Sequence, residues 1–265
     1  MEIRFENQTI IITGSASGIG KGIATEFAAS GGNIVIADLN EEGAKTTADE
    51  LAETYSVQTM AVRVDVTSRD ACQAMAEAVM ERFGRIDCLV NNAGVTLSYP
   101  IEDFPEDKWD LTMAINLKGY FLVAQAVVPK IRAGGRGGSV VNIASKTGLR
   151  GSAANSAYSA SKGGVVIMTQ GWAKEFAPDG IRVNSVCPGN VLHGSGNWSD
   201  ELKQSYAVKL GISVEKVEQH YIDQVPLKRP CTVEDVANLV AFLASDKASY
   251  ITGCWHLVDG GQEMR

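Results

Sequence analysis

The sequence predicts a doubly wound α/β fold: one parallel sheet of about seven strands with helices on both faces. Three observations carry that reading. Short β-branched runs alternate with longer stretches whose apolar residues recur at three- and four-residue spacing, which is strand–helix alternation. Several runs are continuously apolar rather than alternating, as strands covered on both faces are. No repeat, low-complexity tract or Pro/Ser-rich linker interrupts the 265 residues, so 1–265 reads as one domain. A chain of that length buries roughly three-quarters of its unfolded surface and needs neither disulfides nor metal to hold a core.

In chain order, strands are expected at 9–13, 33–37, 58–64, 86–90, 139–143, 181–186 and 255–258. Helices are expected at 18–30, 41–55, 69–83, 106–131, 155–176 and 233–243. Between 192 and 225 the rhythm breaks. No strand pattern occurs there; the stretch opens on His193-Gly194-Ser195-Gly196-Asn197, a sequence that permits a mobile loop, and two short amphipathic patterns follow at 200–210 and 214–222. An insertion after a strand's C-terminal end covers the ligand crevice in open α/β sheets, so a helical substrate lid is expected. A surface excursion or subunit contact is the alternative.

Composition excludes several classes. With 45% apolar and 21% charged residues, the chain is neither disordered nor a coiled coil. A net charge of −7 lacks the basic surface that nucleic acid or an anionic membrane requires, while leaving room for one local phosphate pocket. No uninterrupted apolar run approaches the ~20 residues of a membrane span. Met1-Glu2-Ile3-Arg4-Phe5-Glu6 has neither the basic start nor the apolar core of a secretory signal. Cys72, Cys88, Cys187, Cys231 and Cys254 are scattered without a CxxC pair and are expected to be reduced core thiols of a cytoplasmic protein. His220 and His256 form no HExxH or other ligand pair, so no metal is expected, and His256 is expected to be a hydrogen-bonded core group. No GxSxG elbow offers a hydrolase nucleophile.

Four local patterns suggest chemistry. Thr13-Gly14-Ser15-Ala16-Ser17-Gly18-Ile19-Gly20 joins the first strand to the first helix. Its glycines allow a tight turn and bring backbone N–H groups to a pyrophosphate at a helix N-terminus. The spacing is not GxGxxG and is weak alone; its place after the first strand gives it weight, and the absence of GK[ST] excludes a P-loop. Asp38 closes the second strand, where a carboxylate accepts hydrogen bonds from an adenosine ribose diol and repels a 2′-phosphate, favouring NAD over NADP. Otherwise it only starts the turn Asp38-Leu39-Asn40.

Tyr158-Ser159-Ala160-Ser161-Lys162 puts Tyr158 and Lys162 one helical turn apart on one face. A free phenol has a pKa of about 10, too high for a base at neutral pH. A cation ~4 Å away at an effective dielectric of ~20 contributes roughly 4 kcal/mol, about three pKa units at most. The pair is therefore expected to make a phenol that exchanges a proton with an alcohol or carbonyl oxygen, although chance also supplies this spacing. Ser145, just beyond the strand at 139–143, can donate to the same oxygen.

Taken in order, these patterns make the chain resemble the short-chain dehydrogenase/reductase family over essentially its whole length. The matching residues are Thr13–Gly20, Asp65-Val66, Asn91-Asn92-Ala93-Gly94, Asn116, Ser145, Tyr158-xxx-Lys162 and Pro188-Gly189. The resemblance implies a Rossmann-type fold, a homotetramer and the cofactor NAD. It implies cofactor contacts from Gly14, Ser17, Gly18, Ile19, Gly20 and Asp38, and adenine contacts from Asp65 and Val66. Asn91 to Gly94 are then expected to line the cofactor cleft and brace the sheet, with Pro188, Gly189 and Val191 flanking the nicotinamide. Tyr158 is implied as the acid/base, Ser145 as the holder of the substrate oxygen, Lys162 as the ribose ligand, and Asn116 as the holder of a proton-relay water. Where the family has Thr soon after its Pro-Gly pair, this chain has Leu192-His193, which puts one carboxamide contact in question.

The second half is similar to the sorbitol-6-phosphate 2-dehydrogenases, on Ser145-Lys146-Thr147-Gly148, Asn155-Ser156, Lys209-Leu210-Gly211-Ile212, Val217-Glu218-Gln219, Tyr221-Ile222-Asp223, Val225-Pro226-Leu227-Lys228-Arg229 and Lys247-Ala248-Ser249-Tyr250. That likeness implies oxidation of a polyol to its 2-ketose. Positions that are basic in that group are Ala153, Ala154 and His193 here, so sorbitol 6-phosphate and an unphosphorylated polyol both stay open. Lys146, Asn155 and His193 are the substrate-contact candidates, with solvated surface roles as the alternative. Two rivals stand beside this reading. One is a reductase of another small ketone (acetoin-like, steroid or acyl), because a fold does not choose its substrate. The other is a non-catalytic NAD(H)-binding sensor, against which the full Asn116, Ser145, Tyr158 and Lys162 set argues.

Overall fold

The computed structural model describes residues 3–195 and 200–263. The strands are β1 (Thr9–Thr13), β2 (Asn33–Asp38), β3 (Thr59–Arg63), β4 (Cys88–Asn91), β5 (Gly138–Ile143), β6 (Ile181–Pro188) and β7 (Trp255–Val258). They form a seven-stranded sheet in the order β3-β2-β1-β4-β5-β6-β7, with every pairing parallel. The helices are α1 (Gly18–Ala29), α2 (Glu41–Tyr55), α3 (Arg69–Phe83), α4 (Glu106–Met113), α5 (Gly119–Ala133), α6 (Ser156–Phe176), α7 (Asp200–Leu210), α8 (Val214–Asp223) and α9 (Val233–Ala244).

Strand β1 shows why the runs are continuously apolar. Ile10 and Ile12 join a cluster with Ile23 and Phe27 of α1, Leu51 of α2 and Val240 of α9. Ile11, pointing the other way, joins Met75 of α3 and Val123 and Val127 of α5. All three isoleucines are fully buried, each worth about 1.5–3 kcal/mol of apolar burial, so an alternating polar residue would have no water to face. From β1 the chain winds outward through β2 to β3 and then returns to place β4 on the other side of β1. That reversal leaves a crevice at the C-terminal ends of β1 and β4.

Three expectations need correction. The single helix expected at 106–131 is α4 and α5 joined by a π turn at Ala114–Lys118 that carries buried Asn116. The apolar pattern runs on through the extra residue of such a turn, so periodicity does not reveal it. By length and composition alone the continuous run Glu106–Ala133 is apolar enough to cross a membrane, yet 56% of its apolar window is buried inside the protein, with Leu122, Val123 and Val127 in the core. Cys72, Cys88 and Cys187 are core thiols, but Cys231 is half-buried and Cys254, which leads into the edge strand β7, is exposed. His256 is half-buried on that edge strand, with an Nε2 that has no hydrogen-bond partner among the described residues, and burial pushes its pKa down. Helices α7 and α8 occupy the 192–225 stretch; residues 196–199, including Gly196 and Asn197 of the expected loop, lie outside the described residues.

Candidate active site

A cleft of about 500 Å³ opens at the C-terminal ends of the strands, over the crevice between β1 and β4. Gly14, Ser17, Ile19, Asp38, Asp65 and Val66 line one end of it. Gly14 and Gly18 take left-handed φ of 65° and 62°, which the turn between β1 and α1 requires. Asn92 clamps this turn by donating from Nδ2 to the Thr13 and Gly14 carbonyls, each at 2.9 Å. Gly20 packs the helix onto it: a Cβ there would stand 2.2 Å from the Gly14 carbonyl oxygen. Asp38 accepts from Ala16 N at 2.9 Å and from Asn40 N at 3.0 Å, so it both braces the glycine turn and starts its own. Asp65 accepts from the Thr67 backbone and hydroxyl at 2.9 and 2.7 Å.

These residues fit a dinucleotide. Ser17 precedes α1 without capping it by its side chain, and the first turn of α1 carries no acidic residue. Its N–H groups are therefore open to an anion at the mouth of the cleft. Gly94, Pro188, Gly189 and Val191 line the cleft farther along. Three expected cofactor residues do not line it. Gly18 and Gly20 shape the turn, and Asn91 braces the sheet by donating to Asn142 Oδ1 at 2.9 Å, which in turn donates to Thr169 at 2.9 Å.

Ser145, Tyr158 and Lys162 meet in the middle. Tyr158 and Lys162 come from α6, and Ser145 follows β5 directly. Ser145 Oγ accepts from Thr147 N at 3.2 Å and from Thr147 Oγ1 at 3.0 Å, which leaves its own proton to donate. The Lys162 ammonium donates to the Ile143 carbonyl at 2.8 Å and to the Tyr120 hydroxyl at 3.1 Å, with one N–H to spare. Tyr120 itself donates to the Ile143 carbonyl at 3.0 Å.

Burial acts on both members of the pair. Lys162 Nζ lies 5.9 Å from the centroid of the Tyr158 ring, and burial pushes its pKa down to about 7. Burial raises the Tyr158 phenol above its usual value, while hydrogen bonds from Ser145 and Thr96 act to lower it. The amine and the phenol thus share one buried space, 5.9 Å from nitrogen to ring centroid. Desolvation opposes charge on both groups, and the two hydroxyls supply the opposing pull.

Asn116 does not line the cleft. Its Oδ1 accepts from Val95 N at 2.8 Å, and its Nδ2 donates to Val95 O at 2.9 Å and to Ser161 at 3.3 Å. It therefore holds the peptide next to Gly94. A Cβ on Gly94 would stand 3.3 Å from Asn116 Oδ1 and 3.6 Å from Lys162 Nζ, so the glycine leaves those two groups facing a shared space.

At the other end, Lys146 and Asn155 line the cleft, and the buried Oδ1 of Asn155 has no hydrogen-bond partner among the described residues. His193 does not line it. Its ring binds Glu218 of α8 at 2.8 Å and its side chain is 65% exposed, because the loop after β6 turns it toward the helix rather than the cleft. Thr96, Thr147, Tyr120 and Tyr206 were missed by sequence reasoning. Thr96, Thr147 and Tyr206 line the cleft, and Tyr120 holds Lys162. Of these, only Thr147 sat inside a quoted motif.

An acid/base phenol and a hydrogen-bond donor beside a dinucleotide-shaped crevice form the site of an oxidoreductase. The comparisons agree. A family model described as enoyl-(acyl carrier protein) reductase matches residues 14–263, and the chain belongs to the short-chain dehydrogenase/reductase family, oxidoreductases that use nicotinamide cofactors. It is 39% identical to sorbitol-6-phosphate 2-dehydrogenase of Escherichia coli over 97% of this chain and 99% of that one. It is 38% identical to a 3-oxoacyl-[acyl-carrier-protein] reductase of Thermotoga maritima over 98% and 99%. An uncharacterized oxidoreductase of Bacillus subtilis, YuxG, is 39% identical over 98% of this chain, which spans 38% of YuxG's length. The solved structure of sorbitol-6-phosphate 2-dehydrogenase from Erwinia amylovora superposes with a TM-score of 0.93 at 40% identity, covering 97% of this chain and all of that one.

Proposed function

We propose that this chain is an NAD-dependent dehydrogenase that interconverts a sugar alcohol, sorbitol 6-phosphate or a related polyol, and its 2-ketose. The observation that carries the reading is that Ser145, Tyr158 and Lys162 open on the same cleft as Asp38 and the glycine turn. The similarity to two sorbitol-6-phosphate dehydrogenases supports the substrate class. Asp38 supports NAD, since its carboxylate would accept a ribose diol and repel a 2′-phosphate.

In this mechanism the α1 N–H groups would hold the pyrophosphate, Asp38 the adenosine ribose, and the spare N–H of Lys162 the nicotinamide ribose. The bound nicotinamide supplies the hydride acceptor. Tyr158 Oη, in its phenolate form, takes the alcohol's hydroxyl proton, and Ser145, whose acceptor side is filled by Thr147, donates to the substrate oxygen and keeps it in place. The space left by Gly94 between Asn116 and Lys162 would seat the relay water. Helices α7 and α8 form the lid, with Tyr206 of α7 reaching the cleft. Exposed Trp109, Leu111, Phe121 and Ile167 on α4, α5 and α6 support a homotetramer.

The matched reductase description and the Thermotoga relative favour a second reading, reduction of an acyl ketone. Initial rates with sorbitol 6-phosphate, sorbitol and a 3-oxoacyl thioester, each with NAD(H) and NADP(H), decide between them. The expected outcome is the highest kcat/KM with a polyol and NAD. A higher value for the thioester with NADPH would sink the proposal.

A further inference from the structure

At the substrate end of the cleft, Lys146 opens the turn after Ser145 and donates to Gln262 Oε1 at 2.6 Å. Gln262 belongs to the turn that follows β7. Asp259 shapes that turn by accepting from Gly261 N at 3.0 Å and Glu263 N at 2.8 Å. Through Glu263 the turn holds Arg150 at 2.8 Å, and through Gln262 Nε2 it reaches Gln224, just past α8, at 3.3 Å. It therefore joins the 146–150 loop to the helix beside the cleft.

The partner that holds Lys146 is a neutral amide. The Glu263 carboxylate is engaged by Arg150, and that of Asp259 by backbone N–H groups, while both stand close enough to favour charge on the half-buried Lys146 against its desolvation. An ammonium has three donors; Gln262 takes one and two are left for the cleft. Gln262 takes one donor without setting a carboxylate in direct contact with the amine, so the ammonium can still make a charge-assisted hydrogen bond to an incoming anion.

We infer that the turn Asp259–Glu263 is a selectivity element in which Gln262 positions the Lys146 ammonium to bind a phosphate group on the polyol. The inference rests on the polyol reading above and narrows it to the phosphorylated substrate. Rates with sorbitol 6-phosphate and with sorbitol are compared for the wild type, Gln262→Glu, Lys146→Met and Lys146→Arg. Calorimetry of inorganic phosphate binding to the NADH-loaded enzyme runs beside them and needs no turnover.

Gln262→Glu, which sets a carboxylate against the amine, and Lys146→Met raise KM for the phosphorylated polyol at least about tenfold more than for sorbitol, with the loss in KM rather than kcat. Lys146→Arg keeps most of the discrimination, and phosphate binding weakens in parallel with KM. Equal KM changes for both polyols overturn the inference, as does phosphate that binds wild type and Lys146→Met alike or binds neither. A wild type that oxidises sorbitol alone overturns it and leaves the polyol reading standing. Turnover of the acyl ketone alone overturns the polyol reading, and the phosphate titration then still decides whether Lys146 is an anion site.

Discussion

At its nucleotide end the cleft is held by backbone: left-handed Gly14 and Gly18, the Asn92 clamp on two carbonyls, and a Gly20 with no room for a Cβ. At its substrate end it is held by long side chains reaching between distant segments, Lys146 to Gln262 and Arg150 to Glu263. At Gly14, Gly18 and Gly20 the constraint is steric and set by the turn itself. Side-chain bridges across separate segments can be exchanged without disturbing the sheet, so this is the end where one fold accommodates different alcohols.

The chemistry sits between the two ends, and the largest expected effect falls there. Tyr158→Phe removes the proposed proton acceptor and should lower turnover by roughly 10²–10⁴-fold, while NADH affinity by fluorescence titration stays close to wild type. Near-normal turnover would remove Tyr158 from the proton step. Gly20→Ala strikes the backbone end. A methyl 2.2 Å from a carbonyl oxygen forces the turn apart, so we expect a stability loss of about 3 kcal/mol, read as a lower Tm and urea midpoint, together with weakened NADH binding. A variant with wild-type Tm would show the turn to be softer than the contrast between the two ends implies. Asp38→Ser is the mildest test. Losing a charged acceptor should raise KM for NAD roughly tenfold and narrow the preference over NADP. If the ratio of kcat/KM for the two cofactors does not move, Asp38 serves only its bonds to Ala16 and Asn40.

Particular residues show why some of this was legible and some was not. The strands were legible because both faces of the sheet are covered, which forces runs such as Thr9–Thr13 to be apolar throughout. Tyr158 and Lys162 were legible as a pair because one helix fixes their spacing. Asn116 could be named but not placed: the π turn that aims it at Val95 leaves no mark on the apolar pattern. His193 could be named as a substrate-contact candidate through the resemblance, but the direction of its ring depends on Glu218, twenty-five residues away. The partnership of Lys146 with Gln262 spans 116 positions, and no local pattern connects them.

The sequence alone determined the order of strands and helices, the glycine turn after β1 and the presence of a phenol, an amine and a hydroxyl at family spacing, because each depends on periodicity or steric need within a few residues. The tertiary structure decided which groups share solvent-free space. Only there does burial press the Lys162 amine toward neutrality and hold the Tyr158 phenol up, since desolvation is set by every segment packed around a group rather than by its neighbours in the chain.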